Sequence, residues 1–110
     1  ARAYVEAGAD AIMIHSRKKD PAEVFSFCDK FRQEFSKVPI VAVPTAYNQV
    51  TESELAEHGV NVVIYANQLT RSAFPAMEGT AKSILVNHRA YEADKNLMSI
   101  KEIISLIDTL

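Results

Sequence analysis

YVEAGADAIMIHS (residues 4–16) and ELAEHGVNVVIYAN (residues 54–67) decide the fold. Each reads as a helix end, a glycine and then an apolar run. Gly8 and Gly59 stand where a helix closes with a left-handed residue, a conformation glycine adopts without steric cost. Ala11–Ile14 and Val62–Ala66 are uninterrupted apolar runs. A parallel strand covered on both faces requires that pattern, whereas a one-sided strand alternates. Between them VPIVAVPT (residues 38–45) supplies a third buried strand over about 38–43, closed by Pro44.

The segments around these strands read as helices. Asp20 is expected to cap a helix with Pro21 at its first position and Glu23 completing a capping-box-like pair. Val24, Phe27, Cys28, Phe31 and Phe35 recur there at helical spacing. Thr51 and Glu54 form a capping box for a short helix that stops at Gly59. A further helix is expected from about Ser72 to Leu85, with Pro75 near its start. Its Ala73, Ala76, Gly79 and Thr80 are small enough to permit close approach of another helix. A polar connection over about 87–98 leads to a last helix capped by Ser99 and Glu102. The apolar stripe of that helix is Ile100, Ile103, Ile104, Ile107 and Leu110.

Three parallel strands with helical crossovers suit either a barrel or an open doubly wound sheet. The three glycines are Gly8, Gly59 and Gly79, so no glycine-rich phosphate fingerprint follows a strand. That argues against nucleotide binding of the dinucleotide or Walker type. Three strands alone leave unpaired apolar edges, an aggregation hazard, so further strands are required. The chain also begins inside a helix, with no Met and no preceding strand. The expectation is therefore the C-terminal portion of a (β/α)8 TIM-type barrel. Residues 1–110 then form part of one domain, with 86–110 as linker and terminal helix.

Composition bounds the function. The chain has 110 residues, 48% hydrophobic and 24% charged, with a formal net charge of -2. It is large enough to bury a core and exerts no general pull on nucleic acid or an anionic membrane. No apolar run approaches the roughly 20 residues of a membrane helix. One cysteine excludes an internal disulfide and makes a reducing, cytoplasmic location the expectation.

Chemistry is expected at the strand ends, where α/β enzymes place their sites. His15 ends the first strand and is followed by Ser16, Arg17, Lys18 and Lys19, a cationic stretch suited to phosphate or carboxylate. A solvated surface loop beside an ordinary histidine accounts for the same residues. Thr45 could bond a substrate carboxylate or cap a turn. Asn67, with Arg71 one turn on, could reach the mouth or cap the next helix. His58 is placed for contact with free helix carbonyls, and Cys28 reads as a buried core thiol. His15, His58, His88 and Cys28 show no metal-ligand spacing.

ADAIMIHS (9–16), VPIVAVPTAY (38–47), VVIYANQLTR (62–71) and the terminal SIKEIISL (99–106) resemble the phosphoenolpyruvate mutase and phosphonopyruvate hydrolase group of the isocitrate lyase superfamily. The resemblance spans nearly the whole chain. It implies a (β/α)8 barrel and a Mg²⁺-dependent enzyme acting on a small anionic α-keto acid. The leading reading is a mutase that interconverts phosphoenolpyruvate and phosphonopyruvate, the entry to phosphonate biosynthesis. The alternatives are a phosphonopyruvate hydrolase or carbon–carbon lyase of the superfamily, and a non-catalytic half-barrel assembly module. His15 matches the family histidine at the substrate's anionic end, with Ser16, Thr45 and Asn67 as further substrate-binding candidates. The resemblance also implies a dimer or tetramer that exchanges its terminal helix between subunits. The family's aspartate nucleophile, metal-binding carboxylates, gating loop and substrate arginine come from earlier strands and have no counterpart here. These 110 residues alone are therefore expected to be inactive.

Overall fold

The two glycines that punctuate the sequence set the start of the fold. In the computed structural model, which describes residues 1–107, Gly8 has φ +95° and Gly59 has φ +83°. The Gly8 N–H donates to the Val5 carbonyl at 2.9 Å and the Ala9 N–H to the Tyr4 carbonyl at 2.9 Å. Gly59 and Val60 repeat the arrangement on Ala56 and Leu55, at 2.8 and 3.0 Å. Both helix ends thus satisfy their last carbonyls in the same way and turn the chain into a strand.

The chain divides into two units, Ala1–Ala66 and Asn67–Leu110. The first unit contains α1 (Arg2–Glu6), β1 (Ile12–Ile14), α2 (Ala22–Glu34), β2 (Ile40–Ala42), α3 (Glu52–Glu57) and β3 (Val62–Val63). The strands are parallel in the order β1-β2-β3. Ile12 pairs with Ile40, Ile14 with Ala42, and Ala42 with Val63. All three strands are shorter than the apolar runs that encode them, although Ile12 N–H to Pro39 O and Ile64 N–H to Ala42 O, each 2.9 Å, continue the ladder.

One face of this sheet is the core. Ile12, Ile40 and Ala42 are buried with Val24, Cys28 and Phe31 of α2, Leu55 of α3, and Tyr47 and Val60. The uninterrupted apolar runs predict cover on both faces, and here the structure differs. Met13, Val41 and Val62 form an in-register row on the opposite face, with Met13 66% and Val62 47% exposed. Within this unit the helices bury only one side of the sheet.

At the base of the sheet a single guanidinium joins four segments. Arg32 Nε and Nη2 donate to the Gly59 carbonyl at 3.0 and 2.5 Å, and Nη1 donates to the Val38 and Phe35 carbonyls at 2.7 and 3.1 Å. Nη2 also bonds Asn61 Oδ1, which accepts the Ile40 N–H at 3.0 Å. A Cβ on Gly59 would lie 2.6 Å from Arg32 Nε, whereas one on Gly8 would meet nothing within 4 Å. Both positions carry left-handed strain of about 1 kcal/mol for alanine, but only Gly59 adds a collision. We expect Gly59→Ala to destabilise the full-length protein at least twice as much as Gly8→Ala, measured by urea denaturation. Equal losses would remove the close approach as the cause.

Two local expectations are corrected. The box predicted from Asp20 and Glu23 does not form. Asp20 Oδ1 instead accepts the Ala22 N–H at 2.9 Å from one residue further back, and α2 begins after Pro21. Glu23 turns to other partners, described below. The His58 side chain does not bond helix carbonyls; its Nδ1 lies 2.7 Å from Asp29 Oδ1 and its ring stacks on Phe25 at 3.9 Å. The Thr51–Glu54 box forms as expected, with Glu54 N–H to Thr51 Oγ1 at 3.2 Å.

The second unit holds α4 (Gln68–Asn87), a 3-10 segment (Tyr91–Asn96) and α5 (Ile100–Ser105). The helix predicted from Ser72 starts a turn earlier, so Pro75 falls in its interior. There it has no N–H for the Arg71 carbonyl, the ordinary reason proline is rare inside a helix. The connection over 87–98 is ordered into the 3-10 segment, with Ala93 buried. Ser99 and Glu102 form the predicted capping box of α5. Ile100, Ile103, Ile104 and Ile107 are exposed, and Leu110 lies outside the described residues.

Candidate functional site

β1 delivers its last residues to the C-terminal edge of the sheet. Ile14, in register with Ala42, packs against the core, and alternation along the strand turns His15 outward into solvent. Ser16 turns back and is buried. Its hydroxyl donates to Glu23 Oε2 at 3.3 Å and accepts the Lys18 N–H at 3.2 Å. Lys18 Nζ closes the loop onto the same carboxylate oxygen at 3.0 Å. His15, Ser16 and Glu23 share a cleft of about 150 Å³ with Ile14, Val24 and Phe27.

This network sorts the cationic stretch. Lys18 is paired with Glu23, while Arg17 and Lys19 make no ion pair among the described residues. The Lys18 hydrogen bond and charge hold the Glu23 carboxyl below its ordinary value of 4.5. A carboxylate with a lowered value stabilises the fold above that ordinary value and loses its contribution as pH falls through the lowered one. The loop tie is therefore present at neutral pH and opens in acid. Gln49 adds a second tie, its Nε2 donating to the Lys19 carbonyl at 2.7 Å from the loop after β2.

Thr45 follows the buried Pro44 and is half-buried; its N–H donates to the Val43 carbonyl at 2.8 Å, a tight turn across the proline. Tyr47, two residues on, is fully buried, and its hydroxyl has no hydrogen-bond partner among the described residues. Burial pushes that phenol above its ordinary value. Burial likewise pushes the Cys28 thiol up to about 11, which makes it an unreactive core group. Asn67 belongs to the second unit, at the N-cap of α4, but its side chain does not cap the helix. Its Oδ1 is buried without a partner among the described residues.

The structure thus groups His15 and Ser16 and places Thr45 at the end of the adjacent strand. Glu23 and Gln49 are the residues that sequence reasoning missed. Glu23 has the spacing of a helix-capping partner, and nothing local distinguishes that from a carboxylate reaching back to Ser16. Among the described residues no three His, Cys, Asp or Glu side chains converge on a common point. The donor set present does not fit a Mg²⁺ site.

Residues 1–85 match the family described as phosphoenolpyruvate phosphomutase. The phosphonopyruvate hydrolase of Variovorax sp. (strain Pal2) is 45% identical over 106 residues, which are 96% of this chain and 36% of that protein. The crystal structure of phosphoenolpyruvate phosphomutase from Streptomyces platensis subsp. rosaceus superposes with a TM-score of 0.87 at 30% identity, over 96% of this chain and 36% of that one. A phosphonopyruvate hydrolase crystallised with oxalate and Mg²⁺ gives a TM-score of 0.81 at 45% identity, over 96% and 36%. The chain spans about a third of the length of these relatives. Its three parallel strands and crossover helices are part of a TIM-type barrel.

Proposed function

Because this chain belongs to the phosphoenolpyruvate phosphomutase family, we propose that the protein containing it interconverts phosphoenolpyruvate and phosphonopyruvate. The observation that carries this reading is the strand-end His15, exposed and aimed by a tied loop, in a chain matched to that family over residues 1–85. In the reaction the phosphorus–carbon bond at C3 breaks and the phosphoryl group ends on the C2 oxygen, or the reverse. His15 donates hydrogen bonds to the oxygens of the substrate's anionic end as their charge shifts. Its contribution is positioning and electrostatic stabilisation. Thr45 is proposed to line the same mouth, and Ser16 to support it through the loop.

A relative's complex with oxalate and Mg²⁺ supports a Mg²⁺-dependent reaction on a small keto acid. The ligands of that ion are proposed to lie elsewhere in the full protein, and Mg²⁺ there would neutralise the substrate's carboxylate and carbonyl oxygens. Assembly as a dimer or tetramer is proposed from the large apolar side chains that the second unit exposes, Leu69, Phe74, Met77, Ile100 and Ile104 among them. A cytoplasmic location is supported by the single buried thiol and by described helices too short or too polar to cross a membrane.

A second reading, a phosphonopyruvate hydrolase, is favoured by the higher identity to hydrolases, 45% against 30% for the mutase structure. In that reaction the same bond breaks but the phosphoryl group ends on water, giving pyruvate and phosphate. ³¹P NMR of the full-length protein incubated with phosphonopyruvate separates the two. We expect the phosphonate signal to give way to that of phosphoenolpyruvate. Inorganic phosphate as the first product assigns the hydrolase, and an unchanged phosphonate signal with Mg²⁺ present ends both readings.

A further inference from the structure

We propose that Glu23 is a positioning residue that sets His15 for the reaction, acting from the first turn of α2 through Ser16 and Lys18; this rests on the function proposed above. His15 makes no hydrogen bond to any described residue, so its place is set by the backbone on either side of it. On the strand side that backbone is fixed by the sheet, Ile14 pairing with Ala42. On the loop side the next residue is Ser16, buried, with its hydroxyl between Glu23 Oε2 at 3.3 Å and the Lys18 N–H at 3.2 Å. The Lys18 ammonium reaches the same carboxylate at 3.0 Å. A single carboxylate therefore holds Ser16, next to His15, and Lys18, three residues beyond His15. It also lines the same cleft as His15.

The arrangement serves an electrostatic end too. An unpaired carboxylate beside an anionic substrate would repel it, but here Lys18 neutralises Glu23 next to His15. Alanine at position 23 releases Ser16 and Lys18 together. Small displacements of a positioned group are costly because catalysis depends on alignment within fractions of an ångström.

The test is a double-mutant cycle in the full-length protein, following turnover of phosphonopyruvate by ³¹P NMR and folding by thermal melting. Glu23→Ala is expected to lower kcat/KM by about tenfold in the wild-type background and by less than about twofold beside His15→Ala, because its effect passes through the histidine. Glu23→Gln, which can still accept from Ser16, should recover part of the loss. A general structural role would instead lower activity by the same factor in both backgrounds, and that result overturns the proposal. So does full activity in Glu23→Ala. If His15→Ala itself turns over normally, the role given to His15 fails first and the inference falls with it. Additive losses with an impaired His15→Ala sink the inference alone.

Discussion

His15→Ala in the full-length protein is expected to lower kcat/KM for phosphonopyruvate by about 10²-fold or more, the scale of losing one preorganised donor to developing charge. The imidazole is the one ring at the C-terminal end of β1, exposed, with no partner among the described residues to occupy its donors. The sheet fixes it on the strand side and the tied loop on the other, so alanine should remove the group without moving the sheet. The loss should fall on kcat and on substrate binding together if the histidine holds the anionic end in both ground and transition states. Unaltered turnover, with the melting temperature unchanged, would reduce His15 to a surface residue.

The largest effect on stability is expected at the opposite end of the sheet. Arg32→Ala should cost roughly 3 kcal/mol, because it strips donors from the Gly59, Val38 and Phe35 carbonyls and from Asn61 Oδ1 at once. Leaving part-buried acceptors unpaired is costlier than a typical hydrogen bond is worth. Arg32→Lys should recover little, since an ammonium cannot reproduce a planar fork that reaches four segments. Urea denaturation of the full-length protein measures both. A loss below about 1 kcal/mol for Arg32→Ala would mean that water replaces the guanidinium at these carbonyls.

These two residues illustrate what could be read in advance. His15 was legible because its position follows from a local pattern, an apolar run ending in a polar residue. Arg32 was not. Nothing in a helix with an apolar stripe says that one basic residue beside it will reach carbonyls at positions 35, 38 and 59. The role of Glu23 is hidden for a related reason. Its spacing from Asp20 is that of a capping box, and only the path of the loop shows that Ser16 and Lys18 both reach the same carboxylate.

Local chemistry, then, was determined by the sequence alone: the left-handed glycines, the capping boxes at Thr51 and Ser99, and the order of helices and strands all follow from interactions a few residues long. The parallel register, the one-sided cover of the sheet, the pairing of His58 with Asp29 and the tie from Glu23 to the loop after His15 belong to the tertiary structure. Each needs segments distant along the chain, or a loop path, to be brought together first. Periodicity can say that an apolar face exists, but which elements come to cover it depends on the energy of the whole arrangement. For this protein the physical consequence is concrete. The strand that presents His15 is written in thirteen residues, while the groups that hold it in place are chosen only when the chain folds.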